Sequence, residues 1–160
     1  MVPHFPQKAK RNVAIAIQAR MADPFHLQRF LDAQAPIYPQ VLRELRAGEK
    51  QSHWMWFIFP QIRGLGSSPT AVRYAISSLD EARAYLAHEV LGPRLRECTT
   101  LVNAVKGRSV SSIFGYPDDL KFHSSMTLFA KASNDTDDEF ATALRTYFSN
   151  TPDSGTLQHL

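Results

Sequence analysis

The sequence predicts an all-α, multihelical single domain, and three observations carry that prediction. Apolar side chains recur near a 3.6-residue period in one segment after another. Most of these segments open on a capping residue or a proline, and glycines stand where several of them end. No Asn-Gly turn lies between alternating apolar residues, so nothing reads as a β-hairpin. The connections run two to six residues, the length usual between bundled helices.

The elements follow in order. Asp23-Pro24 supplies an N-cap and a proline for a first helix, with Phe25, Leu27, Phe30 and Leu31 on one face. Pro36 and Pro39 interrupt it, because proline suits a first turn and breaks an interior. Val41, Leu42 and Leu45 restart the pattern, which Gly48 closes. Trp54 to Phe59 is apolar on every side, the mark of a buried segment, and is read as a central helix ended by Pro60. Ser68-Pro69 opens a helix through Ala71, Val72, Ala75 and Ile76. Ser78, with Glu81 three residues on, forms a capping box for the next. Gly92-Pro93 starts another, carrying Leu95, Cys98, Leu101, Val102 and Val105 to a stop at Gly107. Pro117 opens a helix with Asp118 and Asp119 in its first turn, where acids favour the macrodipole. Its Phe122, Met126 and Phe129 share a face. Thr136 caps a last helix from Asp137 to Ser149.

Composition narrows the function. The 160 residues are 44% hydrophobic and include ten phenylalanines, enough for one packed domain and too apolar for a disordered chain. The net charge of +3 comes from the leader. Residues 1–20 hold Lys8, Lys10, Arg11 and Arg20 and no acid, which leaves 14 of the 18 basic side chains against all 15 acids. A neutral body is a poor footprint for nucleic acid. The apolar VAIAI within the leader is five residues long, short of the ~7–15 of a secretory signal. The domain is therefore taken as 21–160, with 1–20 as a disordered arm or an upstream extension. No apolar run reaches the ~18–20 residues that span a bilayer. Cys98 is the single cysteine and makes no internal disulfide, in keeping with a cytoplasmic protein.

Strong chemical signatures are missing. The sequence has no Walker-type GxxxxGK[ST], no GxGxxG, no HExxH and no GxSxG, and its histidines and cysteine form no zinc-ligand spacing. No metal and no cofactor is expected. Softer features remain. Arg63-Gly64-Leu65-Gly66-Ser67-Ser68 is a Gly/Ser loop running into a helix, whose free N–H groups and hydroxyls suit an anion with Arg63 as counter-charge; it equally suits a plain turn. Trp54 and Trp56 offer flat faces for stacking or serve the core. His53 is the acid–base candidate. Asp118, Lys121 and Ser125 share a helix face, with Ser124 and Thr127 also polar in an apolar neighbourhood. They read as an Asp–Lys pair with hydroxyls turned to the backbone, as the lining of a wet pocket, or as a Ser–Lys arrangement.

Three stretches carry a family resemblance. SHWMWFIFPQIRGLGSSPTAVRYAISSLDEARAYL (52–86), LGPRLRECTTLV (91–102) and IFGYPDDLKFHSSMTLF (113–129) closely resemble bacterial domain-of-unknown-function family 1810, from about Pro24 to the end. The resemblance implies a multihelical fold with two buried central helices, placed at Trp54 to Phe59 and Leu120 to Phe129. It implies no activity. Some members bear the label calpastatin, a disordered inhibitor, which does not fit this aromatic-rich composition. The family usually has Arg at the position of His123, which puts any fixed-charge role there in doubt.

Together these features define an expected pocket for a small anionic metabolite, nucleotide-like or phosphorylated, between the two central helices. Trp54, Trp56 and Phe59 form its wall. Gln61, Arg63, Gly64, Gly66, Ser67 and Ser68 hold the anion. Lys121 and Ser125 lie across from them, and His53, Lys121 and Ser125 are the catalytic candidates should there be chemistry. The competing expectation is a non-catalytic protein-interaction module whose polar groups are structural. The sequence leaves the oligomeric state open.

Overall fold

The computed structural model describes residues 10–12, 14 and 22–160, so most of the basic leader lies outside the described residues. Between Gln28 and Gln158 the chain folds into ten helices packed on one hydrophobic core. Among the described residues there is no sheet, only an isolated parallel bridge between Ile62 and Ile76.

The first helices follow their local signals in part. Asp23 is not the N-cap expected of it: that position falls to Leu27, while the Asp23 carboxylate accepts from Leu27 N–H (2.7 Å) and Gln28 N–H (3.0 Å) in the turn before the helix. A tight turn at His26 (φ 52°) delays α1 to Gln28–Gln34. Helix α2, Tyr38–Ala47, has Pro39 in its first turn and ends on Gly48 in the left-handed region.

The Trp54–Phe59 stretch departs from the expected helix. Only one turn, α3 (Met55–Ile58), is helical. Phe59 precedes Pro60, whose ring disfavours helical geometry at the residue before it, and Phe59 leaves the helical region at φ −121°, ψ 74°. At the other end the Trp54 indole is tied to Glu44 (3.1 Å), and its backbone lies outside the helical region. The segment is nonetheless buried, with Trp54 and Phe59 wholly inaccessible.

Helix α4 (Pro69–Tyr74) is capped by Ser68 Oγ, which accepts from Ala71 N–H. It stops short of the expected Ala75 and Ile76, because Ala75 turns extended (ψ 137°) and Ile76 joins the bridge. There Ile76 N–H donates to the Gln61 carbonyl and Arg63 N–H to the Ile76 carbonyl, both at 2.8 Å. Ser78 caps α5 (Leu79–Ala87). The capping box is only half formed, since the Glu81 carboxylate takes Ser77 N–H and Oγ and pairs with Arg29 instead of returning to Ser78. Helix α6 (Leu91–Ala104) ends before Gly107. Gly92 is required there, because a Cβ would collide with the Leu86 carbonyl oxygen.

Helix α7 (Val110–Phe114), capped by Ser109, had no apolar period long enough to betray it. Helix α8 (Asp118–Ala132) is the central one; from Ser124 to Phe129 every residue is buried. It packs against α5 and α7, against α9 (Glu139–Phe148), and against a short α10 (Ser154–Gln158). The cap of α9 is Asp138 and not Thr136: its Oδ1 accepts from Phe140 and Ala141 N–H, at the buried end of the run. Asp153 caps α10 in the tail, where no helix was expected.

The two central segments meet through rings. Phe59 from the α3 region packs on Phe122 of α8 at 5.1 Å, edge to face, and on Phe114 of α7 at 5.9 Å. Phe114 stacks on Phe122 at 4.8 Å. Such pairs add about 0.5–1.5 kcal/mol each beyond area burial. This cluster fixes the start of α8 against the Trp54–Ile62 segment, and the cleft described next opens between them.

Candidate ligand cleft

Two lysines share one carboxylate at the head of α8. Lys50, on the loop after α2, is anchored by its N–H to the Ile113 carbonyl (2.7 Å). Its side chain is only 7% exposed, and its Nζ lies 2.8 Å from Asp118 Oδ2 and 5.1 Å from the centre of the Trp54 ring. Lys121, one turn into α8, places Nζ 3.0 Å from Asp118 Oδ1 and 4.8 Å over the Trp56 ring. Burial pushes the Asp118 carboxyl upward, but hydrogen bonds from Lys50 and Lys121 and their charges outweigh it, so its pKa lies below the usual carboxylate value. The group is ionised at neutral pH, and the triad carries one uncompensated positive charge.

Beside Lys121 lies a narrow cleft whose interior is about 20 Å³, room for a group the size of a water molecule. Trp56, Phe59 and Tyr74 wall it, and Gln61, Gly64 and Gly66 form its rim. The Ile62–Ile76 bridge holds the two sides at a fixed spacing, since it joins the strand-like residues after α3 to those after α4. Gly64 has φ 103°, and a Cβ there would strike the His159 ring, so both backbone and space demand glycine. Glu44 anchors the far side. Burial raises its pKa, but the N–H groups of Gln51 and Ser52, the Ser52 hydroxyl and the Trp54 indole outweigh this and hold it at about 2.

The structure thus brings Trp56, Gln61, Gly64, Gly66 and Lys121 to one cleft, together with Phe59. The other expected site residues stand apart. Trp54 is fully buried behind the wall, and its indole is spent on Glu44. His53 is exposed and does not line the cleft. Arg63 faces a separate hollow with Arg29 and Arg73, because bridge pairing turns alternate residues to opposite sides. Ser67 is exposed, and the Ser68 hydroxyl is committed to its helix cap. Ser125 is wholly buried with no partner for its Oγ among the described residues. Lys121 Nζ bonds Asp118 instead, so no Ser–Lys dyad forms. The neighbouring hydroxyls turn to backbone one turn back, Ser124 to Leu120 and Thr127 to His123.

Tyr74 is an aromatic member of the cleft that was not anticipated, and neither was Lys50, which does not line the cleft but lies behind it on Asp118. Lys50 follows Gly48-Glu49 in a polar loop and has no periodicity to mark it; Tyr74 sits in the YAI motif, its only sequence signal. Cys98 is no part of the site: burial pushes its thiol up to about 12, far from the thiolate a nucleophile needs. No helix among the described residues is long and apolar enough to cross a membrane.

Fold and site together define an all-α domain with an aromatic cleft and, at its edge, Lys121 sharing Asp118 with the buried Lys50. The chain belongs to the family described as "Protein of unknown function (DUF1810)", which matches residues 24–160. The crystal structure of the conserved hypothetical protein Rv1873 from Mycobacterium tuberculosis is similar, at 61% identity over 86% of this chain and 98% of that one, with a TM-score of 0.84. Curated proteins give no match.

Proposed function

We propose that the protein binds a small anionic metabolite carrying a flat ring, nucleotide-like in shape, laid across the mouth of the cleft between the Trp56–Gly66 segment and the head of α8, with only a small polar group entering its narrow interior. The observation that carries this reading is the Lys50–Asp118–Lys121 triad: two ammonium groups on one carboxylate leave a net positive charge beside an aromatic wall. Lys121 supplies the charge, Trp56 and Tyr74 the stacking surfaces, and the Gln61 amide an orienting hydrogen bond. Among the described residues no nucleophile–base pair lines the cleft, and the reading is one of binding.

A thermal-shift panel of nucleotides, nucleotide-sugars and aromatic carboxylates on the full chain tests it. A ligand at ~100 times its dissociation constant adds about 2.7 kcal/mol of stability, read as a rise in melting temperature. The rise is expected to vanish in Lys121→Met and Trp56→Ala and to persist in Arg63→Gln. Silence across the panel from a folded protein would favour the interaction module instead.

A further inference from the structure

On the opposite side of the Ile62–Ile76 bridge, Arg63 and Arg73 line a hollow of about 370 Å³ together with Arg29, Glu81 and Ser77. Arg29 is fully committed. Its Nε donates to the Arg73 carbonyl, Nη1 to the Phe25 and His26 carbonyls, and Nη2 to the Ala75 carbonyl and the Glu81 carboxylate, all at 2.7–3.0 Å. Glu81 is 3% exposed and matches Arg29 in charge, so the two form a neutral ion pair. Arg63 and Arg73 are different. Both are exposed, and among the described residues neither guanidinium meets a carboxylate within ion-pair distance. They bring two uncompensated positive charges to one hollow of a body that is otherwise close to neutral.

Their mountings are rigid. Arg29 pins the backbone of Arg73 and Ala75 through two carbonyls. The bridge pins Arg63, whose N–H donates to Ile76. The same guanidinium holds His26 in the left-handed region (φ 52°), a conformation that a non-glycine residue keeps only where its surroundings fix it. A saturated arginine therefore brackets the Arg73 backbone, and the bridge brackets that of Arg63.

We infer that this hollow is an anion site, distinct from the cleft, for the terminal phosphate or pyrophosphate of a small molecule. Guanidinium forks match phosphate oxygens two at a time, and a dianionic group balances the two free charges. A phosphodiester chain, with one charge per phosphate spread along its length, balances them poorly at a single hollow. The inference does not depend on the cleft being occupied, since the residues of the two sites overlap only at Ala75.

The test is a titration of the full chain with inorganic pyrophosphate at fixed ionic strength, followed by ¹H–¹⁵N spectra that include the arginine Nε–H signals. The expected result is saturable movement of the Arg63 and Arg73 signals. Arg63→Gln or Arg73→Gln should each weaken binding at least tenfold, while Arg83→Gln, on another exposed arginine, should leave it unchanged. Both hollow positions are exposed, and an unaltered melting temperature certifies the fold of each variant. Shifts that grow without saturating, or a loss in Arg83→Gln equal to that in Arg63→Gln, would overturn the site as mere charge attraction. Equal or tighter binding of a short single-stranded oligonucleotide at the same arginines would overturn the small-molecule assignment.

Discussion

The Glu44 carboxylate shows how one residue ties distant chain together. It sits on α2 and receives two backbone N–H groups, a hydroxyl and the Trp54 indole from the segment that leads into α3. Its pKa falls from 4.5 to about 2 on folding, so the unfolded chain takes up the proton first as the solution is acidified. Glu44 therefore contributes stability that is complete above pH 4.5 and is lost as pH falls toward 2, about 3 kcal/mol in all. Chemical denaturation at several pH values checks this: Glu44→Gln should be less stable at pH 7 and should lose less than the parent between pH 5 and pH 2. Ser125 makes the converse case. Its hydroxyl is buried on α8 without a partner among the described residues, so the desolvation cost of the group is not recovered. Ser125→Ala should leave the unfolding free energy unchanged or raise it by up to about 1 kcal/mol. A loss of more than that amount would show that the hydroxyl is bonded after all.

Helix boundaries in this protein follow local chemistry where the signal is local. Ser68, Ser78, Gly48 and the acids after Pro117 mark their helices in the sequence and in the structure alike. The signals that failed were overruled by tertiary contacts. Thr136 and Asp138 are both good caps, and burial of Asp138 chooses between them. Trp54 to Phe59 has the composition of a longer helix, but Pro60 at one end and the Glu44 tie at the other trim it to a turn. Helices α7 and α10 are five residues each, too short to show a period. The packing of α5 on α6 rests on a single glycine. Gly92→Ala gains helix propensity of about 1 kcal/mol but drives a methyl into the Leu86 carbonyl. The net effect expected is a destabilisation of about 1–3 kcal/mol, measured by urea unfolding. A neutral or stabilising result would mean the two helices separate freely.

Across the whole molecule, the cleft joins parts that the sequence keeps far apart. Trp56, Gln61, Gly64 and Gly66 were legible because they lie in one aromatic and Gly/Ser-rich stretch, and Lys121 because it is a charge on an apolar helix. Lys50 was invisible, since only the folded chain brings it to Asp118. Arg63 was expected to hold an anion with the glycine loop, but the side it faces is decided by the bridge to Ile76, which no short-range pattern announces. The two tryptophans provide a direct readout of the account, because one lines the cleft and the other is locked behind it. The decisive measurement is a ¹H–¹⁵N titration of the full chain with the best-stabilising anionic ring compound, following both indole N–H signals. The account predicts that the Trp56 signal moves and saturates, that the Trp54 signal holds still, and that Lys121→Met abolishes the movement. Saturable binding that leaves Trp56 unmoved, or that survives Lys121→Met undiminished, would contradict it.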